Sequence, residues 1–204
     1  MSGARTEPEP RDRAVLDRWW NEFVATGALP RELTLVQGRL IRAVGRGELP
    51  SGPVFVKVMS FPRAKDRLRY LLRQLPAQRE ALRLRGLPYS RVPGPEVVDV
   101  RVQRRFGLPF RSLLVLRALA VVAETGRAPS DLLAERAAVA HRLLDFGWWH
   151  PDLNPDNFVR LQDGRLAVLD LQSVREICND QKAGMRPVLA RGGVTVRAGR
   201  AQAP

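Results

Sequence analysis

The sequence predicts an α+β fold: a five-stranded antiparallel sheet that follows an N-terminal helix and precedes a shorter, mainly helical part. Three observations predict it. Short apolar runs broken by glycine fill residues 33–59, the pattern of strands joined by tight turns. A second strand pair, "EVVDVRVQRRF" and "FRSLLVLRAL", follows a helical stretch. Beyond residue 130 a helical period gives way to a polar loop and two short apolar runs around Asp163-Gly164.

Residues 1–10 read as a disordered tail. "RAVLDRWWNEFVATG" then places Val15, Leu16, Trp19, Trp20 and Phe23 on one helical face, as a core or docking helix requires. "LTLV", "RLIRAV" and "PVFVKVM" are separated by Gly38, "GRGELP" and "SGP", and fit three antiparallel strands. Residues 64–86 turn helical with an interruption at Pro76, and "LPYSRVPGP" closes that stretch because repeated proline cannot continue a helix. After the strand pair, Ser130 is placed to cap a helix through "DLLAERAAVAHRLLDFG", with Leu133, Ala137, Ala140 and Leu144 on one face. Trp148 and Trp149 read as core.

Composition sets the outer limits. A chain of 204 residues, 45% hydrophobic, is enough for one domain or two small lobes sharing a cleft. Cys178 is the single cysteine, which excludes an intrachain disulfide and points to a reducing compartment. The start, "MSGARTEPEPRDR", has no apolar core of a leader, and "SLLVLRALAVVAE" is short and broken by Arg117, so a soluble, cytoplasmic protein is expected. The formal charge is +13, and Lys occurs only at 57, 65 and 182. Such an arginine excess suits polyanionic partners, and equally a solvated surface.

The segment "WWHPDLNPDNFVRLQDGRLAVLDLQ" carries the most chemistry. Asp-Gly is a favoured two-residue hairpin turn because both central positions need positive φ. With that turn Gln162 opposes Arg165, residue 158 meets 169, and Asn157 faces Asp170 across the open end. Opposed Cα atoms lie about 4.5 to 5.5 Å apart, near enough for an amide oxygen and a carboxylate to share a divalent cation. Asp152 sits five residues earlier, on the loop. Each residue also has a plainer reading. Asp and Asn beside Pro151 and Pro155 form turns by bonding their own backbone. A lone lysine in a strand snorkels to solvent, and Glu80 in "QREALRLR" would pair with Arg83 on a helix surface.

Order and spacing favour a joint reading. "HPDLNPDN" resembles the H-x-D-L-x-x-x-N catalytic loop of the protein-kinase-like fold, and Asp170 stands where that fold places its second metal-binding acid. "VFVKVM" is similar to the strand carrying the phosphate-binding lysine, here Lys57, and "PAQREALRLRGLPYSRVPGPEVV" to the helix with the partner glutamate, here Glu80. Over residues 33–175 the chain most resembles the lipopolysaccharide kinases of the Kdo/WaaP type. The resemblance implies a two-lobed fold: an N-terminal helix and five-stranded N-lobe over 11–119, and a truncated catalytic C-lobe, mainly helical, over 120–190. Residues 191–204 would be a disordered basic tail.

It further implies ATP and Mg2+ as cofactors. Lys57 would hold the α- and β-phosphates, Glu80 would orient Lys57, Asp152 would act as base toward the acceptor hydroxyl, and Asn157 and Asp170 would hold Mg2+. His150 would brace the loop from the core. The implied acceptor is a hydroxyl of a glycolipid sugar such as the lipopolysaccharide inner core, with peripheral contact at an anionic membrane, on the inner face, as a further expectation. There are departures. No G-x-G-x-x-G lies between the first two strands, where Gly38 and "GRG" at 45–47 are the glycines available. Pro151 stands where many protein kinases carry Arg, "DLQ" replaces D-F-G, and the remainder after Gln172 has no A-P-E signal. Regulation through a phosphorylated activation loop is therefore not expected, and the supporting C-lobe helices are expected to be absent or reduced. The alternative function is a pseudokinase or regulatory scaffold without turnover. A nucleic-acid-binding module is disfavoured, because the chain lacks aromatic-basic interleaving and a helix-turn-helix pattern.

Overall fold

A computed structural model describes residues 8–39, 41–87, 91–122, 129–150 and 155–178. The chain divides into two compact units, Met1–Gly86 with Pro95–Ala118, and Leu87–Gly94 with Leu119–Pro204. The expected tails fall largely outside the described residues.

The first unit begins with α1, Pro10–Thr26. Pro10 suits a first helical turn because its missing N–H would be unpaired there anyway. Gly27, at φ 74°, ends the helix by donating its N–H to Phe23 O. Asp12 is buried in the first turn and accepts from Ser51 N at 3.1 Å and from the Ser51 hydroxyl, which ties the helix start to a strand turn.

Three strands follow: β1, Thr34–Arg39; β2, Arg42–Leu49; and β3, Gly52–Ser60. Gly38 and most of "GRGELP", read as separators, lie inside β1 and β2 because glycine still pairs in the ladder. After two helices come β4, Val97–Arg105, and β5, Leu108–Arg117. All pair antiparallel in the order β1-β2-β3-β5-β4, which puts β3 at the centre. Alternation along β3 gives the sheet two faces. Val54, Val56 and Val58 join Leu113 and Val115 against Leu16, Trp19 and Phe23 of α1. Gly45 and Gly47 lie opposite Val56 and Val54 on that face. A Cβ at Gly47 would come within 2.9 Å of Trp19, and one at Gly45 within 2.9 Å of Leu29. These glycines admit the helix and its following loop; they are spent on packing.

The helical stretch is two helices, α2, Ala64–Arg69, and α3, Pro76–Gly86. Pro76 therefore starts the second helix, and the interruption lies before it. Gln78 Oε1 accepts from Leu75 N at 3.3 Å, and Leu75 is fully buried. Ala81 and Leu84 bury the helix against the sheet unit. The β4–β5 turn has positive φ at both central residues, Phe106 at 51° and Gly107 at 75°. For a bulky residue such as Phe106 that conformation costs about 1 to 3 kcal/mol.

In the second unit, α4 spans Pro129–Asp145. It begins one residue before Ser130, the expected cap position, which therefore falls inside the helix's first turn. Val139, Ala140, Leu143 and Leu144 are its buried face, while Leu133 is exposed. The predicted stripe is thus shifted: among the described residues Ala137 is half-buried and full burial lies in the last two turns. Strand β6, Trp148–Trp149, pairs with β9, Arg175–Glu176, and both tryptophans are half-buried, less enclosed than the core placement predicted. A short 3-10 turn, Pro155–Asn157, leads into the hairpin of β7, Phe158–Arg160, and β8, Leu166–Val168. Val121 bridges to Leu161, and Val168 N donates to Pro93 O at 3.0 Å. The latter bond is why the segment after α3 belongs to this unit.

Candidate active site

Lys57 sits at the middle of the central strand, with Val44 and Leu114 as its cross-strand partners. It points away from the α1 face, because its neighbours Val56 and Val58 occupy that face. Glu80 reaches it from α3, and Lys57 Nζ donates to Glu80 Oε1 at 2.5 Å. The lysine side chain is 17% exposed and the glutamate 1%. The plain readings therefore fail for both residues: the lysine does not snorkel out to solvent, and the glutamate is not a surface charge. Burying two charges is tolerable only because each compensates the other. Lys57 keeps a small part of its side chain exposed.

The second unit holds the other described candidates. His150 is buried, and its Nε2 lies 2.6 Å from Asp170 O. A carbonyl can only accept, so Nε2 carries the proton and donates it. The histidine thus fixes the backbone of Asp170 directly, a link the sequence pattern hinted at only as bracing. Asp170 Oδ1 accepts from Gln172 N at 2.9 Å, which turns the chain beyond β8.

The hairpin register differs from expectation. Phe158 pairs with Val168 and Arg160 with Leu166, so Asn157 stands opposite Leu169, whose N–H donates to Asn157 O at 2.8 Å. Asp170 lies one residue further on. The cause is the turn. Asp163 Oδ1 accepts from Arg165 N at 3.0 Å, and Oδ2 pairs with the Arg165 guanidinium at 2.7 Å. That self-bonding holds Asp163 at negative φ and leaves only Gly164, at φ 82°, in the left-handed region. Gly164 N donates to Leu161 O and Leu161 N to Arg165 O, both at 2.9 Å. The loop is consequently three residues long, and every pairing shifts by one. The same arginine holds the Asp163 carboxyl below its usual range, chiefly by hydrogen bonding.

The site residues thus divide between the units: Lys57 with Glu80 in one, His150 with Asp170 and nearby Asn157 in the other. Asp152 lies outside the described residues. Among the described residues no cluster of three or more acidic, histidine or cysteine side chains could hold a metal ion. The donor chemistry of Asn157 and Asp170, one amide and one carboxylate, still suits a hard cation that keeps other ligands from water or phosphate. No described helix is long and apolar enough to cross a membrane.

A model of the lipopolysaccharide kinase (Kdo/WaaP) family matches residues 53–186, more than half of the chain. The matched segment starts within β3 and includes Lys57, Glu80, His150, Asp152, Asn157 and Asp170. No curated protein matches the chain.

Proposed function

The chain belongs to the lipopolysaccharide kinase (Kdo/WaaP) family, and from that membership we propose that it transfers the γ-phosphoryl group of ATP to a hydroxyl of a glycolipid sugar, such as the lipopolysaccharide inner core. The family implies kinase activity toward lipopolysaccharide in general; the nucleotide, the metal and the acceptor group belong to the proposal. The observation that carries it is the buried Lys57–Glu80 pair. A strand lysine held by a helix glutamate is what a site needs to grip a triphosphate: the glutamate fixes the ammonium position, and the exposed part of the lysine meets the phosphates.

In this reading Asp152 accepts the proton of the acceptor hydroxyl. Asn157 and Asp170 would hold Mg2+, which offsets the charge of the nucleotide phosphates when bound. His150, by donating to Asp170 O, positions the metal-binding acid and carries no proton in the reaction.

Thermal-shift titration of the full chain with ATP, with and without Mg2+, tests the reading. A ligand that binds only the folded state raises the midpoint with concentration. Stabilisation by Mg-ATP that Asp170→Ala abolishes is the expected result, together with labelled phosphate transfer to dephosphorylated lipopolysaccharide. A wild-type protein indifferent to Mg-ATP at all concentrations would overturn it.

A further inference from the structure

At one end of the sheet unit two exposed segments meet. Arg104 donates to Gly107 O at 2.7 Å, to Tyr70 O at 3.3 Å and to Arg73 O at 3.4 Å. Its guanidinium therefore fastens the β4–β5 turn to the loop after α2, and a Cβ on Gly107 would lie 3.4 Å from Leu71. The side chains presented there are apolar. Phe106 is fully exposed, Leu72 is 94% exposed and Leu68 62%. Side chains so open project outward, Phe106 from the turn, Leu72 from the loop and Leu68 from the end of α2; residues lining a cleft would be partly covered.

Phe106 also sits at positive φ, where Asn or Gly is the ordinary choice. Folding alone gives no reason for a strained, solvent-facing phenylalanine. Around this apolar tip the charge is one-sided. Residues 61–73, "FPRAKDRLRYLLR", contain a single acid, Asp66. Arg63, Lys65, Arg69 and Arg73 form no ion pair among the described residues. Exposed apolar side chains beside a stretch of chain rich in unpaired cations complement the boundary of an anionic bilayer, where acyl chains lie beneath a layer of phosphates. Leu72 and Leu68 have no flat face on which a nucleic-acid base could stack.

We propose that the loop around Leu72 and the Phe106 turn form a membrane-docking tip. Leu72 and Phe106 insert at the headgroup–acyl boundary of an anionic leaflet, and Arg63, Lys65, Arg69 and Arg73 meet the lipid phosphates. The proposal goes beyond the phosphoryl-transfer reading and does not depend on it, since vesicle binding is read without turnover.

Co-sedimentation of the full chain with vesicles of equimolar phosphatidylcholine and phosphatidylglycerol, against phosphatidylcholine alone, tests it. Wild type should bind the mixed vesicles, and binding should weaken as added salt shortens the Debye length below about 10 Å. Leu72→Ser with Phe106→Asn should weaken it about tenfold or more without lowering the melting temperature, because asparagine tolerates the left-handed turn. Arg69→Gln with Arg73→Gln should weaken it about tenfold or more, at roughly fivefold per basic residue, and flatten the salt dependence. Asp152→Asn should bind as wild type does, so loss of turnover and loss of docking are separable. Three outcomes overturn the proposal. One is no wild-type binding at low salt. Another is binding unchanged by the Leu72 and Phe106 substitutions, which would mean adsorption by charge alone. The third is absent vesicle binding with a dimer that the same substitutions convert to monomer, which would assign the tip to a second copy of the chain.

Discussion

The two units hold their candidate residues by different means. In the first, Lys57 and Glu80 are 23 residues apart and meet because a central strand and a packed helix bring them together. In the second, His150, Asn157 and Asp170 hang on strands of two or three residues and on turn hydrogen bonds. A site inside a five-stranded sheet shares its energetics with the fold. One set by turns can lose its chemistry while the fold persists. The two halves should therefore fail differently when altered.

The largest expected effect falls in the second unit. Asp152→Asn keeps shape and removes the proposed proton acceptor, so phosphoryl transfer should drop about 10²-fold or more, on the scale of general-base catalysis. Mg-ATP affinity and melting temperature should stay near wild type, measured by single-turnover transfer and thermal shift. Equal transfer rates in variant and wild type would remove the base assignment.

In the first unit function and fold should be inseparable at single positions. Glu80→Leu leaves the Lys57 charge buried without its partner, and breaking such pairs costs about 3 to 5 kcal/mol. Because Lys57 keeps some exposure, the low end is expected. Adding Lys57→Met removes the stranded charge and should restore most of the lost stability, since a buried pair replaced by apolar groups of similar volume is often neutral. Mg-ATP stabilisation should be absent in both. Chemical denaturation of the four proteins in the cycle separates these terms; a double variant that regained nucleotide binding would show the pair to be structural only.

These contrasts mirror what the sequence made legible. Lys57 stood out because "VFVKVM" resembles the lysine-bearing strand of the kinase-like fold, and the structure keeps that strand central. The five strands were readable from short apolar runs, although Gly38, Gly45 and Gly47, read as breaks, lie inside β1 and β2. Other features depend on partners that no local pattern names. Gly45 and Gly47 are bare because Leu29, Leu33 and Trp19 press on them, which becomes visible only once α1 is docked. The hairpin register turned on whether Asp163 would take a left-handed conformation or bond to Arg165, and the side-chain bond won. Leu133 fits the helical stripe, yet it is exposed, and the fully buried residues among those described in α4 lie in its last turns.

His150 offers an intermediate case. His150→Ala removes a buried side chain and the donor to the part-buried Asp170 O, at a cost of about 1 to 3 kcal/mol. The Mg2+ concentration needed for half-maximal transfer should rise as well, because Asp170, proposed to hold the metal, loses its backbone anchor. A stability loss with unchanged Mg2+ dependence would confine His150 to packing.

The smallest effects come from two exposed carboxylates, one in each unit, both held below their usual range mainly by hydrogen bonds from arginine: Glu32 by Arg18, and Asp163 by Arg165. Glu32 grips distant chain, accepting from Arg18 at 2.7 and 2.9 Å and from Trp19 Nε1 at 2.9 Å; Asp163 grips only its own turn. A carboxyl whose folded pKa is lowered contributes stability that is full above its unfolded pKa and is lost as pH falls through the folded value. Both should therefore steepen the acid limb of melting temperature against pH. Salt should weaken both contributions, since exposed pairs are screened. Glu32→Gln should flatten the acid limb and lower the plateau slightly, because it also loosens the loop that carries Leu29 and Leu33 against the sheet. Asp163→Asn keeps an oxygen for Arg165 N and tolerates the turn, so it should flatten the acid limb with almost no change at neutral pH. A larger neutral-pH loss from Asp163→Asn than from Glu32→Gln would reverse the contrast, and would place the more sensitive scaffold in the turn-built unit.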